Sequence, residues 1–95
     1  MTPQEVAYCA KVFADTNEAI AEVEANAGTG WAVNWADLRC VAVERVESFY
    51  GEGEPVTEWR VLVSEASPSA TEFVKALTRQ LIAREHFQVN VVTEW

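Results

Sequence analysis

The sequence predicts an α+β fold of two layers, in which two helices pack against a three-stranded, mainly antiparallel sheet. Two observations predict it. Apolar residues recur at the helical period along two segments and alternate with polar residues along three others, as in half-buried strands. A Gly-rich connector at residues 51–55 joins the first two strands, as in a β-hairpin. The element order is therefore α-β-β-α-β, within a single domain of residues 1–95.

The first helix is predicted to begin after Thr2, because Thr2 and Glu5 form a capping box and Pro3 fits the first turn. It should end near residues 26–28, where Gly28 can adopt a left-handed cap. Its apolar stripe is expected to face the sheet. The stripe consists of Val6, Cys9, Ala10, Phe13, Ile20 and Val23.

The hairpin is predicted from residues 38–50 and 55–65. Apolar and polar residues alternate along its second strand. In the first strand the alternation breaks near Glu44 and Arg45, which predicts a β-bulge at that point.

The second helix is predicted to begin with a capping box formed by Ser69 and Glu72, and a third strand should follow at residues 87–95. Packing both helices on the sheet predicts one core. Its predicted members are Val6, Phe13, Ile20, Val41, Val43, Trp59, Val61, Val63, Phe73, Leu77, Leu81, Val89 and Val91.

Two strand orders fit this chain. The preferred order is 3-1-2, because it places residues 38–50, the longest strand, at the centre. This arrangement resembles the split β-α-β unit of ferredoxin-like folds without its first strand. The alternative order, 1-2-3, contains one parallel pair. Both orders leave the third strand at an edge of the sheet.

The charge of the chain is acidic and uneven. Its net value is −8, and residues 1–37 carry six acidic side chains against Lys11 alone. Direct nucleic-acid binding is not expected, because it requires a basic surface. An acidic surface favours a basic protein partner, or it serves solubility alone. With no apolar run of about 20 residues and no signal-peptide pattern, the expected location is cytoplasmic and not in a membrane.

The leading hypothesis is a small acidic interaction module, by analogy a phage- or bacterium-encoded inhibitor or immunity-type protein. Trp31 and Trp35 lie in a loop and either cover the core or contact the partner. The full predicted partner surface consists of Asp15, Glu18, Glu22, Trp31, Trp35, Glu52 and Glu54.

The alternative hypothesis is a homo-oligomeric structural or assembly subunit. The third strand contains no Lys, Pro or Gly to prevent edge-to-edge pairing, so it predicts a homodimer through this strand. The predicted edge residues are Gln88, Asn90, Val92, Glu94 and Trp95. A second alternative is a small-molecule site or an enzyme with a pocket beneath the two tryptophans.

No catalytic, metal-binding or cofactor-binding residue is predicted. Cys9 and Cys40 are expected to be free buried thiols, although a bridge between them is possible if the helix and strand face each other. His86 lies at the junction of the second helix and the third strand, where a hydrogen bond to backbone is expected. No nucleophile–base pair is recognisable, so an enzyme is not expected.

Overall fold

Five elements follow one another in the predicted order. The computed structural model describes residues 2–27, 31, 33–64 and 70–93. The α+β class is confirmed. The elements are α1 (Pro3–Asn26), β1 (Cys40–Ser48), β2 (Val56–Val63), α2 (Ala70–Ala83) and β3 (Val89–Thr93).

The beginning of α1 has the predicted capping box. The Glu5 backbone N–H donates to Thr2 Oγ1 over 3.1 Å, and the Thr2 N–H donates to Glu5 Oε1 over 3.1 Å. Two donors that the helix leaves unpaired are thereby satisfied. The helix ends at Asn26, as expected, and Ala27 follows in an extended conformation. The predicted caps at Gly28 and Ser69 lie outside the described residues.

The strand order is β1-β2-β3, so the preferred order 3-1-2 is wrong and the alternative is correct. β1 and β2 are antiparallel, whereas β2 and β3 are parallel, so the sheet is mixed rather than mainly antiparallel. The reason lies in side chains on the helix-facing side of the sheet. There, Trp59 pairs with Arg45, and Thr57 pairs with Glu47. A central β1 would bury these two charges, whereas an edge lets them reach water.

The predicted bulge exists but lies elsewhere in β1. The register shifts between Cys40 and Ala42, while Glu44 and Arg45 pair regularly with β2. The shift turns the Cys40 side chain into the core and leaves Val41 46% exposed. The prediction that Val41 belongs to the core is therefore wrong. Burial raises the pKa of the Cys40 thiol to about 11, and both cysteines are free.

Most of the predicted core is confirmed. Val43 and Val91 are half-buried against it, whereas Val6 and Phe13 were predicted wrongly and are 52% and 40% exposed. The predicted residues that are buried are Ile20, Trp59, Val61, Val63, Phe73, Leu77, Leu81 and Val89.

The buried face of α1 is rotated from the predicted stripe. It consists of Val12, Thr16, Ala19, Ile20 and Val23. Their spacing is helical, but two members are small or polar, so hydrophobicity alone did not identify them. Thr16 is buried without penalty because its hydroxyl donates to the Val12 carbonyl over 2.7 Å. These small side chains let α1 lie close to its neighbours, and the larger Phe13 lies at the flank.

Both helices contribute to the core on one side of the sheet. β2 turns Trp59, Val61 and Val63 toward them, and alternation turns the intervening residues toward the other side. Of the two helices as described, neither is long and apolar enough to cross a membrane. The sheet therefore has one buried face, and α1 and the junction of α2 with β3 meet over one end of it.

Candidate functional site

A cavity of about 550 Å³ lies where the beginning of α1 meets the junction between α2 and β3. Its floor is formed by the side chains of Tyr8 and Trp59, and its rim by Glu5 and the residues that follow α2. Aromatic and carboxylate side chains share this lining. The lining residues are Gln4, Glu5, Tyr8, Trp59, Glu85, Phe87 and Gln88.

Aromatic rings form the walls of the cavity. The rings of Tyr8 and Trp59 lie 5.0 Å apart between centroids and are tilted by 57°. Trp59 is buried and fixed in the sheet, whereas Phe87 is 72% exposed at the rim. An exposed Phe at the mouth of a cavity leaves apolar area available to a ligand. The walls therefore suit a flat or cationic group that stacks on aromatic faces.

A chain of hydrogen bonds runs from the interior to this cavity. His86 is 3% exposed, and its Nε2 lies 2.7 Å from Asp15 Oδ2. Its Nδ1 lies 3.0 Å from the Tyr8 hydroxyl. The His86 ring thus bonds to two side chains, and the expectation of a backbone partner for it is wrong. Two residues of α1 and one residue that follows α2 form one connected polar unit.

The direction of donation in these hydrogen bonds determines which group Tyr8 presents to the cavity. A carboxylate accepts only, so Nε2–H of His86 donates to Asp15. In the tautomer that carries its single proton on Nε2, Nδ1 accepts from the Tyr8 hydroxyl. The Tyr8 oxygen then has lone pairs free to accept from a ligand. Burial raises the pKa of Tyr8, and the charge of Asp15 adds to the increase. Tyr8 therefore stays protonated near neutral pH and serves as a hydrogen-bonding group.

One carboxylate at the rim is already paired. Arg45 Nε lies 2.5 Å from Glu5 Oε2, and Arg45 Nη1 lies 3.0 Å from Glu47 Oε1. The Thr2 backbone N–H and then the Arg45 guanidinium lower the pKa of Glu5. Glu5 is consequently ionised near neutral pH, but its charge is shared with Arg45.

The second carboxylate, Glu85, is held in an unusual position. α2 ends in a Schellman motif, because the His86 N–H donates to the Leu81 carbonyl and the Glu85 N–H to the Ile82 carbonyl, each over 2.9 Å. Glu85 occupies the left-handed position of this motif with φ of 66°. That position favours glycine. Among the described residues, no ion-pair partner lies within 4.0 Å of Glu85.

The two tryptophans of the predicted partner surface pack together. Trp31 and Trp35 stack with their centroids 6.2 Å apart and an angle of 19° between planes. Trp35 also meets Phe73 edge-on at 6.0 Å. Both indoles are half-buried against the core, which is the arrangement expected of a cover. Trp31 also lines a smaller groove with Val23 and other residues near the end of α1.

The structure does not bring the rest of that predicted surface together. Glu18 and Glu22 are exposed on α1, whereas the half-buried Asp15 contacts His86. Glu52 and Glu54 are exposed in the connector between β1 and β2. The Arg45–Glu5 ion pair places the first turn of α1 beside the half of β1 that leads into this connector. The 24-residue helix is about 36 Å long, so the tryptophans near its other end are far from the connector.

The predicted edge residues lie along β3 where the structure describes them. Asn90 donates to Glu58 Oε2 over 2.8 Å, and Val92 is exposed. Gln88 is also exposed, but it lines the cavity. Glu94 and Trp95 lie outside the described residues.

Sequence reasoning missed Tyr8, Glu85 and Phe87 as site residues. Only Glu85 gave a local signal. It follows α2 at a position where a helix that ends in a left-handed residue normally has Gly or Asn. Tyr8 belonged to no predicted stripe, and only the folded chain brings it to Trp59. In the part of the chain that the structure describes, no three His, Cys, Asp or Glu side chains form a group suited to a metal ion.

The chain matches no protein-family model and no curated protein. Fold and site define it instead as an α+β protein with a mixed three-stranded sheet and two helices, in which α1, β2 and the residues after α2 line an aromatic cavity with a carboxylate rim. The chemistry of that cavity is therefore the molecule's clearest indication of function.

Proposed function

We propose that this protein is a small, non-catalytic interaction module that binds a basic protein partner, as an inhibitor or immunity-type protein does. The observation that carries the proposal is an aromatic cavity with carboxylates at its rim, over the half of the sheet that adjoins the acidic hairpin connector. We call this surface the acidic end of the molecule. It consists of Glu5, Glu47, Glu52, Glu54 and Glu85.

Charge and apolar area support the proposal together. Arg45 neutralises part of the charge of Glu5 and Glu47, while Glu52, Glu54 and Glu85 are exposed. Exposed carboxylates at a rim accelerate the encounter with a basic protein, and aromatic area at the centre slows dissociation. An acidic surface of this kind also repels nucleic-acid phosphates.

The test is capture from a lysate of the native host, followed by measurement of association kinetics with the captured protein. We expect a basic protein whose association rate constant falls at least about tenfold between low and physiological salt, because the exposed charges are screened. Its dissociation rate constant should change less. An association rate that is independent of salt would contradict the proposal.

Two variants of equal charge separate the acidic end from net charge. The first replaces Glu52, Glu54 and Glu85 by Gln, and we expect it to lose most of the association rate. The control replaces Glu18, Glu22 and Glu24 of α1 by Gln. Equal losses in both variants would show that the partner responds to total charge, and a loss confined to the control would place the surface on α1.

A second candidate function is homodimer formation through β3, which lies at an edge of the sheet. The Trp59 N–H donates to the Gln88 carbonyl over 2.9 Å. In a parallel ladder this register directs the N–H of Asn90 toward β2 and that of Val91 toward the free edge. Pairing between two copies would use the Val91 N–H.

A Val91→Pro variant is therefore expected to be monomeric and folded, because it removes a donor from the edge alone. Asn90→Pro should instead destabilise the sheet, since it removes a bond to β2. Light scattering and circular dichroism measure the two effects. A wild-type protein that stays monomeric at high micromolar concentration would refute this candidate.

A further inference from the structure

We propose that the cavity binds an arginine side chain of the basic partner, with the guanidinium against Tyr8 and Trp59 and its N–H groups directed to Glu85. This inference rests on the proposed function and specifies the group that the acidic end recognises. Three features of the cavity support it. They are its aromatic walls, its unpaired carboxylate and the hydrogen-bond acceptors at its lining.

The walls match the shape of a guanidinium. This group is planar and weakly hydrated, and it stacks on aromatic faces more readily than an ammonium does. Tyr8 and Trp59 present such faces at the floor, with Phe87 at the rim. A cavity of about 550 Å³ is large enough for the whole side chain together with part of the neighbouring backbone.

The carboxylate of Glu85 supplies the charge. Its backbone has φ of 66°, where a side chain is unfavourable, and its charge lies at the C-terminal, negative end of α2. Glycine at this position would remove both the unfavourable backbone conformation and the unfavourable charge. A cation bound beside Glu85 offsets the unfavourable charge and gives the carboxylate a partner that the described residues do not provide.

The remaining polar groups complete the match. The Tyr8 oxygen has free lone pairs because its hydroxyl proton is directed to Nδ1 of His86, whose Nε2–H is held by Asp15. The side-chain amides of Gln4 and Gln88 at the lining can turn their oxygens to the ligand as acceptors, and their NH₂ groups can turn to water. A guanidinium has five N–H donors in a rigid fork, whereas an ammonium has three, so the acceptor count favours arginine over lysine. Acidic groups would meet Glu5 and Glu85 and are disfavoured.

The test is an NMR titration of the ¹⁵N-labelled protein with the peptide acetyl-Gly-Arg-Gly-amide. We expect saturable shifts at the Trp59 indole and at the amides of Glu85 and Phe87, with a dissociation constant of about 1–10 mM. The matched peptide carrying citrulline has the same shape without the charge and should cause no saturable shift. The matched lysine peptide should bind several times more weakly.

Variants locate the charge that matters. Glu85→Gln keeps the side-chain shape, and we expect it to raise the dissociation constant of the arginine peptide about fivefold or more. Glu18→Gln makes the same charge change on the exposed face of α1 and should leave the affinity unchanged. Glu85→Gly should lower the affinity for the arginine peptide by the same factor, and it should raise the midpoint of thermal unfolding by about 4–8 °C. The higher midpoint would show that the weaker binding does not arise from a damaged fold.

The outcomes separate this inference from the proposed function. Absence of shifts at 20 mM peptide, equal shifts with citrulline, or equal losses in Glu85→Gln and Glu18→Gln would overturn the arginine site. The proposed function would stand in that case if a basic partner still binds through Glu52 and Glu54. Saturable, Glu85-dependent binding of the arginine peptide supports the site, and failure to capture a basic protein would then count against the proposed function alone.

Discussion

Replacing Leu77 by Ala is expected to lower the free energy of unfolding by about 2–5 kcal/mol. Leu77 is fully buried on α2, in the core that the helices share with the sheet. Truncation removes apolar contacts and leaves a cavity that rigid neighbours cannot fill. Urea denaturation monitored by circular dichroism measures the loss, and an unchanged slope would show that the two-state transition is retained.

Phe13→Ala is the matched control for Leu77. The sequence predicts the same loss of about 2–5 kcal/mol at Phe13, because it belongs to the expected apolar stripe of α1. In the structure Phe13 is 40% exposed and borders a surface cavity beside Val43. The expected decrease in the free energy of unfolding is therefore about 1 kcal/mol or less. Similar losses at the two positions would mean that the buried face of α1 is the predicted stripe after all.

His86→Ala is expected to lower the free energy of unfolding by about 2–4 kcal/mol. The replacement leaves a cavity where a buried ring lay and removes the partner of two polar groups. Asp15 and Tyr8 would then lie half-buried without their hydrogen bonds. Leaving such groups unsatisfied costs more than the bond itself contributes to stability.

Tyr8→Phe is the control for the hydrogen bonds that link Tyr8, His86 and Asp15. It removes one hydroxyl and leaves the pair of His86 and Asp15 in place, so we expect a loss of about 0.5–1.5 kcal/mol. Asp15→Asn keeps the size of the side chain and tests the charge of that pair. A loss in His86→Ala no larger than that in Tyr8→Phe would contradict the view that His86 joins α1 to the end of α2.

The candidate site illustrates why a site formed between distant segments is difficult to predict. Tyr8 and His86 are separated by 78 positions, and Asp15 and His86 by 71. The sequence placed them in unrelated roles: Tyr8 in no predicted stripe, Asp15 on the predicted partner surface and His86 at a helix–strand junction. Their contact depends on how α1 lies across the sheet, which no local pattern records.

The strand order also depends on tertiary packing. Both orders satisfied the periodicity, and strand length favoured β1 as the centre. The decisive residues are Arg45 and Glu47, which share the helix-facing side of the sheet with Trp59 and Thr57. An edge position solvates these charges, while β2 carries a continuous apolar set and is suited to the centre.

What the sequence determined by itself is the local structure. The five elements, the capping box at Thr2 and Glu5, and the buried positions of β2 and α2 follow from residue type and period, which act over a few neighbours. Only the tertiary structure decided the strand order, the face of α1 and the cavity. Those depend on close packing by small residues such as Thr16 and Ala19, and on the cost of burying charge without a partner.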